Sequence, residues 1–439
     1  MYLLVGVSAR ALLESAVESG CQATAIDYFG DQDCRWHGPA FSLADMGLRP
    51  SVKNLLQAAA TLAFAGRDGR RQTFSGLVYS SGPENQPQDL EVWAQHGLLL
   101  GNGPATLARV RNPWELRTAL AAVGSPMPPF YPLEEWRYTP AGMGWLIKPV
   151  CGGGGRGIRL LAATEAGTAA QLAAVSDKSR YLVQQFIPGI AASATFIADG
   201  RQAAVVGTSQ QLAAGNGLGA GRFAYAGSIV PLALQPAHGL PDPGPELARI
   251  AGHLTAVFGL RGLNTLDFII NQRGIWVLEV NPRWSASVEL IERWRGERLF
   301  RRHVAACGPA GLPAAAIPSA RGRRCGFWGK AIVYAQASFQ VTATARELGD
   351  FYRLGLRDIP GPATSVAGGQ PLCSVLAWAG TAAACRQALV DKAAWARCVL
   401  GDVAAGRGDP GGGRPKALAV AEWQWRFAEG KTGKGAGHE

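Results

Sequence analysis

The chain reads as an α/β protein made of successive units. Three observations predict this. Short apolar runs alternate with helical patterns over residues 1–104, a glycine run joins two apolar segments near Lys148, and two long apolar runs flank a short polar turn at Gln272–Gly274.

The first unit takes its strands from Leu3–Val7, Ala23–Asp27, Gly76–Tyr79 and Leu98–Leu100, separated by helical patterns. A small doubly wound α/β domain over residues 1–104 follows from that alternation. The turn after the first strand, Gly6–Arg10, lacks the second and third glycines of a dinucleotide fingerprint. Ser8 and Arg10 sit near a predicted helix N-terminus, where a substrate carboxylate is favoured. The opening Met1–Val7 has no basic leader region, and Glu14 and Glu18 interrupt the residues after it, so it reads as a strand entering a helix.

Residues 105–127 read as a helical connection ending at the Pro126–Pro129 cluster, and a flap-like subdomain completes the second unit, 105–183. Within it, Trp145–Val150 and Ile158–Leu161 read as strands joined by Gly152, Gly153, Gly154, Gly155 and Gly157. Glycines let backbone N–H groups approach phosphate closely. In a Walker loop or a dinucleotide fingerprint the glycines lead into a helix. Here they join two strands and Lys148 precedes them, which predicts a flap over a nucleotide with Lys148 on a phosphate.

The third unit, 184–307, holds the most specific signal. Asn264–Asn271 and Ile275–Asn281 are apolar runs that predict a β-hairpin. A three-residue loop with Gly274 in the left-handed conformation pairs Asn271 with Ile275 and sets Asp267 opposite Glu279. Side chains alternate, so Glu279 and Asn281 share a face, with Arg283 just beyond. Two carboxylates and an amide in register inside apolar strands fit Mg²⁺ (or Mn²⁺) bound against a polyphosphate; without a cation, burying like charges is costly. Earlier in the unit, Ala213–Gly221 reads as a mobile loop, followed by Arg222, a candidate for phosphate or substrate, and a strand-like Phe223–Val230.

Arg293, Arg295, Arg298, Arg301, Arg302 and His303 are read as the solvated face of a helix, and Arg321, Arg323 and Arg324 as linker. After the Pro/Ala-rich stretch 308–320, a last unit over 320–439 carries strands near Cys325–Ala335 and Leu372–Trp378 and a helix near Thr381–Cys398. The glycine-rich 401–413 and the end of the chain read as mobile, with Trp423 and Trp425 as docking residues.

The flap, Lys148 and the Asp267/Glu279/Asn281/Arg283 ending together resemble the ATP-grasp superfamily over residues 105–300. The resemblance implies an ATP-grasp fold with an N-terminal doubly wound pre-ATP-grasp domain and a C-terminal α+β domain. It also implies ATP and Mg²⁺ as cofactors. The segment Tyr181–Gly189 is similar to the family's hinge, so Gln184, Gln185, Phe186 and Ile187 are expected at the adenine. Glutamines stand where an acidic ribose contact is frequent in the family. Arg109 and Arg111 stand where the family tends to carry an earlier phosphate lysine.

The implied activity is carboxylate–amine ligation through an acylphosphate, with Lys148, Arg283 and Arg222 as catalytic residues. Small-molecule acids and amines would be the partners. Residues 361–375 loosely resemble the C-terminal domain of biotin carboxylases. A carboxylase is the first alternative, but Ser285 and Ser287 follow Arg283 where those enzymes carry a Gln-Val-Glu-His stretch. A non-catalytic ATP-binding module is the second alternative. General similarity and the Asn281-Pro282-Arg283-x-Ser285-x-Ser287 ending place the chain near tyramine–glutamate ligases of methanofuran-type cofactor synthesis, with Ser285 and Ser287 lining the acid pocket.

Composition narrows the classes further. The net charge is +11, with 43 Lys+Arg against 32 Asp+Glu. Aromatics are not interleaved with the arginines as a single-strand platform requires, so no nucleic-acid partner is expected. No apolar run reaches the roughly 18 residues of a membrane span. The 8 cysteines include no C-x-x-C pair, which argues against a zinc site or disulfide framework. A reducing cytoplasm is the expected compartment, and a homodimer is compatible with this class.

Overall fold

The computed structural model describes residues 1–65, 73–139, 144–212, 218, 221–234, 239–309, 311 and 325–401. Most of the 213–221 loop, Arg321, Arg323, Arg324, most of the 308–320 linker, and the tail with Trp423 and Trp425 lie outside the described residues.

In the first unit, β1 (Tyr2–Val5), β2 (Ala23–Asp27), β3 (Ala40–Ser42) and β4 (Gly76–Tyr79) form a parallel sheet of order β3-β2-β1-β4. Helices α1 (Arg10–Glu18), α2 (Gln32–His37), α3 (Val52–Ala60) and α4 (Glu91–Gln95) accompany it. The strand expected at Leu98–Leu100 is reduced to one parallel bridge, Leu77 to Leu99. β3 has three residues, too few for an alternation to register in the sequence.

Two short helices, α5 (Pro104–Val110) and α6 (Pro113–Ala121), lead out of this unit. The start of α6 is set locally: the Asn112 side chain accepts from the N–H groups of Trp114 and Glu115, and Pro113 occupies the first turn. The flap sheet is antiparallel, order β5-β8-β6-β7, from β5 (Phe130–Pro132), β6 (Trp145–Pro149), β7 (Arg159–Leu160) and β8 (Tyr181–Gln185), with α7 (Glu165–Ala173) between β7 and β8. The hinge residues Gln184 and Gln185 thus belong to this sheet, paired with Leu146 and Trp145.

The large sheet has eight antiparallel strands. Six follow in the chain: β9 (Ile190–Asp199), β10 (Ala203–Gln211), β11 (Gly227–Val230), β12 (Arg261–Asn271), β13 (Gly274–Asn281) and β14 (Phe327–Tyr334). α8 (Gly244–Phe258), α9 (Ser287–Arg295) and α10 (Phe300–Cys307) intervene. β15 (Phe339–Gln340) and β17 (Ser365–Val366) form a separate ribbon, with α11 (Ala345–Arg353) and β16 (Leu356–Arg357) between them, before β18 (Pro371–Ala379) and α12 (Ala382–Leu400). The sheet order is β13-β12-β9-β10-β11-β14-β18-β16. Strands on both sides of the 308–320 linker therefore share one hydrogen-bonded surface, joined by β11 against β14.

The core crosses the unit boundaries in the same way. Leu12 and Leu13 of α1, Ile197, Leu263, Trp284, Phe300 and Trp328 pack into one buried cluster. Buried charge accompanies it. Arg10 is fully buried and donates to both Glu289 oxygens at 2.8 Å, to Glu14 at 2.8 Å and to Asp358 at 3.0 Å, with Asp33 at 3.5 Å. Every direction of its fork faces a carboxylate of the protein. The expectation that Arg10 holds a substrate carboxylate is thereby overturned; it ties α1 to α9 and to the last unit.

The arginine run is also corrected. Arg293 is buried and pairs with Glu14 and Glu289 at 2.9 and 3.2 Å. Arg298 reaches Glu292 at 2.9 Å, Glu14 at 3.3 Å and Glu18. Arg295 and Arg302 meet Glu297, and His303 is buried against the Leu100 carbonyl. Arg293 and Arg298 thus tie Glu14 and Glu18 of the first unit to the large-sheet side, while Arg301 stays exposed as expected.

Candidate active site

The hairpin brings its acids together by a route the sequence did not indicate. Its loop has two residues, Gln272 and Arg273, and Asn271 pairs with Gly274, not Ile275. That register alone would set Asp267 against Leu278. A β-bulge after Phe268–Val277 leaves Leu278 unpaired, and Asp267 falls opposite Glu279 as expected. Gly274 does adopt a positive φ, 105°.

Asp267, Glu279 and Asn281 meet at this end of the hairpin. Asp267 accepts from Ser193 Oγ at 2.7 Å and from Asn281 Nδ2 at 2.9 Å. Ser193 in turn accepts from Gln211 Nε2 at 2.9 Å. Lys148 Nζ lies 2.9 Å from Glu279, which carries the flap's cation onto the carboxylate group. Arg283 donates to Asn281 Oδ1 at 3.0 Å and to Glu84 at 3.0 Å. Arg111, at the end of α5, donates to the Gly152 carbonyl at 2.9 Å and to Asn85 at 2.8 Å. Its Nε is buried without a partner among the described residues.

The two carboxylates are driven apart electrostatically. Burial, then the charge of Glu279, pushes the Asp267 carboxyl up to about 6. Burial also opposes ionisation of Glu279, but Lys148 and then Arg111 outweigh it and hold that carboxyl down at about 2. A site that keeps one acid ionised and penalises the second is short of positive charge. The donor set there is hard oxygen: two carboxylates and an amide carbonyl. That set fits Mg²⁺, which also takes phosphate and water.

A narrow cleft lies between the flap sheet and the hairpin, lined by Arg111, Lys148, Gln184, Leu278, Glu279 and Met127 among others. Gln184 is buried and faces this cleft, Gln185 is half-buried, and their strand forms one wall. The Gln185 and Phe186 N–H groups are taken by the carbonyls of Pro129 and Gly144. No partner is recorded for the Ile187 N–H among the described residues.

In the glycine loop, Gly154, Gly155 and Gly157 have φ of 64°, 72° and 80°. Gly155 is the constrained one: a Cβ there would sit 1.7 Å from the Phe223 carbonyl oxygen. The Tyr225 N–H donates to the Gly154 carbonyl at 2.9 Å, so the flap rests on 223–225. Gly152 and Gly153 are exposed and carry no such constraint.

The remaining candidates are placed less centrally. Arg222 is exposed, its guanidinium 5.5 Å from the Phe223 ring, with no recorded bond to the carboxylate group. Ser285 and Ser287 are buried in a hydroxyl chain with Thr265 and Thr195, at 2.7 to 3.2 Å. Thr265 pairs with Asn281, so this chain adjoins the metal-type ligands, but the hydroxyls are engaged with one another. Ser8 is half-buried and its carbonyl accepts from Ser80; the neighbouring helix N-terminus is already served by Asp27, which accepts from the Ala9 N–H at 3.2 Å.

Ser193, Gln211 and Glu84 join the site without any signal in the sequence, because each lies in an ordinary-looking strand or turn. Between the two arginines named for the missing lysine, the structure brings Arg111 to the cleft. Arg109 is exposed and pairs with Glu115.

Comparisons with known proteins agree with this geometry. Residues 110–287 match the family model described as an ATP-grasp domain. An uncharacterised protein of Methanocaldococcus jannaschii is 22% identical over 205 residues, 46% of this chain and 48% of that protein. The chain therefore spans about half the length of the curated relative it matches.

Among solved structures, the biotin carboxylase domain of Hydrogenobacter thermophilus 2-oxoglutarate carboxylase, determined with MgADP and bicarbonate, has a TM-score of 0.63 at 14% identity, covering 86% of each chain. The L-amino acid ligase of Bacillus licheniformis has a TM-score of 0.61 at 14% identity, covering 89% of this chain and 96% of that one. N5-carboxyaminoimidazole ribonucleotide synthetase of Thermus thermophilus has 0.60 at 16%, covering 91% and 98%. At such identities the structures speak to the fold, which they share along nearly the whole chain. Residues 110–287, which hold the flap over the cleft and the paired acids of the hairpin, are therefore an ATP-grasp domain.

Proposed function

We propose that the protein is an ATP- and Mg²⁺-dependent ligase that activates a carboxylate as an acylphosphate for attack by an amine. The observation that carries this reading is the convergence of Asp267, Glu279 and Asn281 with Lys148 reaching Glu279 from the flap at 2.9 Å. Bound Mg²⁺ would supply charge neutralisation for the transferring phosphoryl group. Asp267, Glu279 and Asn281 are the residues that would hold it.

The rest falls to the chain itself. Lys148, Arg283 and the unpartnered Nε of Arg111 offer donors to phosphate oxygens. The flap, seated on 223–225, excludes water that would hydrolyse an acylphosphate. The hinge at Gln184, Gln185, Phe186 and Ile187 would hold the adenine, with the Ile187 N–H as donor, and Ser285 and Ser287 would border the acid pocket. The amine needs no covalent nucleophile on the protein, because it attacks the acylphosphate carbonyl carbon directly and inorganic phosphate leaves as the C–N bond forms. Synthesis of a one-carbon-carrier cofactor of the methanofuran type is the finer reading of its place, with a small acid and amine as substrates.

A hydroxylamine-trapping screen with Mg-ATP and a panel of carboxylic acids, glutamate included, tests this. A hydroxamate with one acid, lost in Lys148→Ala and Glu279→Ala, is the expected result. Bicarbonate-dependent ADP release without any hydroxamate would replace the ligase reading with a carboxylase.

A further inference from the structure

Two consecutive residues of the first unit reach the site's two arginines. Glu84 Oε1 accepts from Arg283 Nε at 3.0 Å, and Asn85 Oδ1 accepts from Arg111 at 2.8 Å. They sit in a single 3₁₀ turn, Pro83–Asn85, just past β4. We propose that Glu84 and Asn85 are positioning residues for phosphoryl transfer, which makes the first unit part of the catalytic apparatus. This rests on the ligase reading above.

The turn is built for precision. Gly82 has φ 122°, and a Cβ there would press on Val7 and Val52 at 3.3 and 3.4 Å. Its N–H donates to the second Glu84 oxygen at 2.6 Å, so both carboxylate oxygens are engaged. The Glu84 side chain is only 1% exposed, and a charge buried this way exists to meet another charge. The same edge grips the neighbouring residue of the hairpin. Asn102 Nδ2 donates to the Pro282 carbonyl at 2.9 Å, and Tyr79 Oη, which donates to the Asn102 carbonyl at 2.7 Å, lies 3.3 Å from the same Pro282 oxygen.

Each arginine then passes the constraint on. Arg283 uses Nε on Glu84 and another nitrogen on Asn281 Oδ1, so Glu84 acts through Arg283 on a metal-type ligand. One Arg111 nitrogen bridges Asn85 and the Gly152 carbonyl, so Asn85 acts through Arg111 on the flap. Without Glu84 the Arg283 guanidinium can rotate off Asn281; without Asn85 that of Arg111 can swing away from the cleft.

The test measures hydroxamate formation, Mg-ATP affinity by calorimetry, and thermal stability in the full chain. Glu84→Ala is expected to lower kcat by about 10- to 100-fold, the scale of a misplaced catalytic group, with a smaller change in Mg-ATP affinity. In an Arg283→Ala background it should add nothing further. Asn85→Ala should weaken Mg-ATP binding and raise the KM for ATP; Asn85→Asp, which keeps the acceptor, should restore both. Full activity in Glu84→Ala, losses that multiply with Arg283→Ala, or an Asn85→Asp variant as weak as Asn85→Ala would overturn the proposal. If the folded wild type makes no hydroxamate, the ligase reading fails, and the Mg-ATP affinities of the Asn85 pair decide the positioning claim alone. Absence of Mg-ATP binding by wild type would overturn both.

Discussion

Replacing Arg10 with methionine separates a structural role from a substrate role at one residue. Arg10 is fully buried and faces Glu289, Glu14, Asp358 and Asp33 within 3.5 Å. Methionine keeps much of the volume and removes the charge, leaving those carboxylates with Lys330, which bonds Glu289 and Asp358, and Arg293, which bonds Glu14 and Glu289. Breaking one partner of a buried ion pair costs about 3–5 kcal/mol. The surviving cations cover part of that, so Arg10→Met is expected near the lower end, about 3 kcal/mol. Urea unfolding followed by fluorescence would read it, with Arg10→Lys as an intermediate case because a point charge cannot engage two oxygens of Glu289 as a fork does. The kinetic constants of the surviving folded protein should change little. A normal unfolding midpoint combined with a raised KM for the acid substrate would return Arg10 to the substrate site.

Gly155→Ala should hinder seating of the flap, since the new Cβ would lie 1.7 Å from the Phe223 oxygen at a φ of 72°; a raised KM for ATP with normal thermal stability is expected. Acid should loosen the seam between the first unit and α9. Burial opposes ionisation of Glu14, but Arg293 and Arg10 hold its carboxyl down at about 2 against an ordinary 4.5, so its contribution is present above 4.5 and lost as pH falls toward 2. Denaturation midpoints measured across that window should fall steeply in wild type and less so in Glu14→Gln. Lys148→Ala should move the Glu279 carboxyl upward from about 2, because its nearest cation is gone; a carboxyl-selective NMR titration of the metal-free protein checks the direction, and an unchanged value would contradict the ion pair.

The fold is most legible where periodicity carries it. β2 and β4 begin and end at the residues the apolar runs mark, Ala23–Asp27 and Gly76–Tyr79. The hairpin acids are legible because alternation places Glu279 and Asn281 on one face, yet their pairing arises through two offsetting departures. The loop is one residue shorter than expected, and the unpaired Leu278 restores the register. Nothing in the local sequence announces that bulge.

The role of Arg10 is hidden from the sequence because its partners Glu289 and Asp358 lie about 280 and 350 residues away in the chain. The arginines of α9 and beyond are hidden for the same reason: Glu14 and Glu18 give no sequence sign that they face Arg293 and Arg298. Long-range charge pairing has no period, so composition alone makes these residues look solvated.

The proposed ligase chemistry requires that the γ-phosphoryl group of ATP pass to a substrate carboxylate at this site. Turnover with an acid labelled with heavy oxygen in its carboxylate, together with Mg-ATP and the accepting amine, tests it most directly. One labelled oxygen of each consumed carboxylate is expected to leave in inorganic phosphate, and this transfer is expected to disappear in Glu279→Ala. Phosphate whose new oxygen comes from solvent water would show hydrolysis without acyl activation and would contradict it.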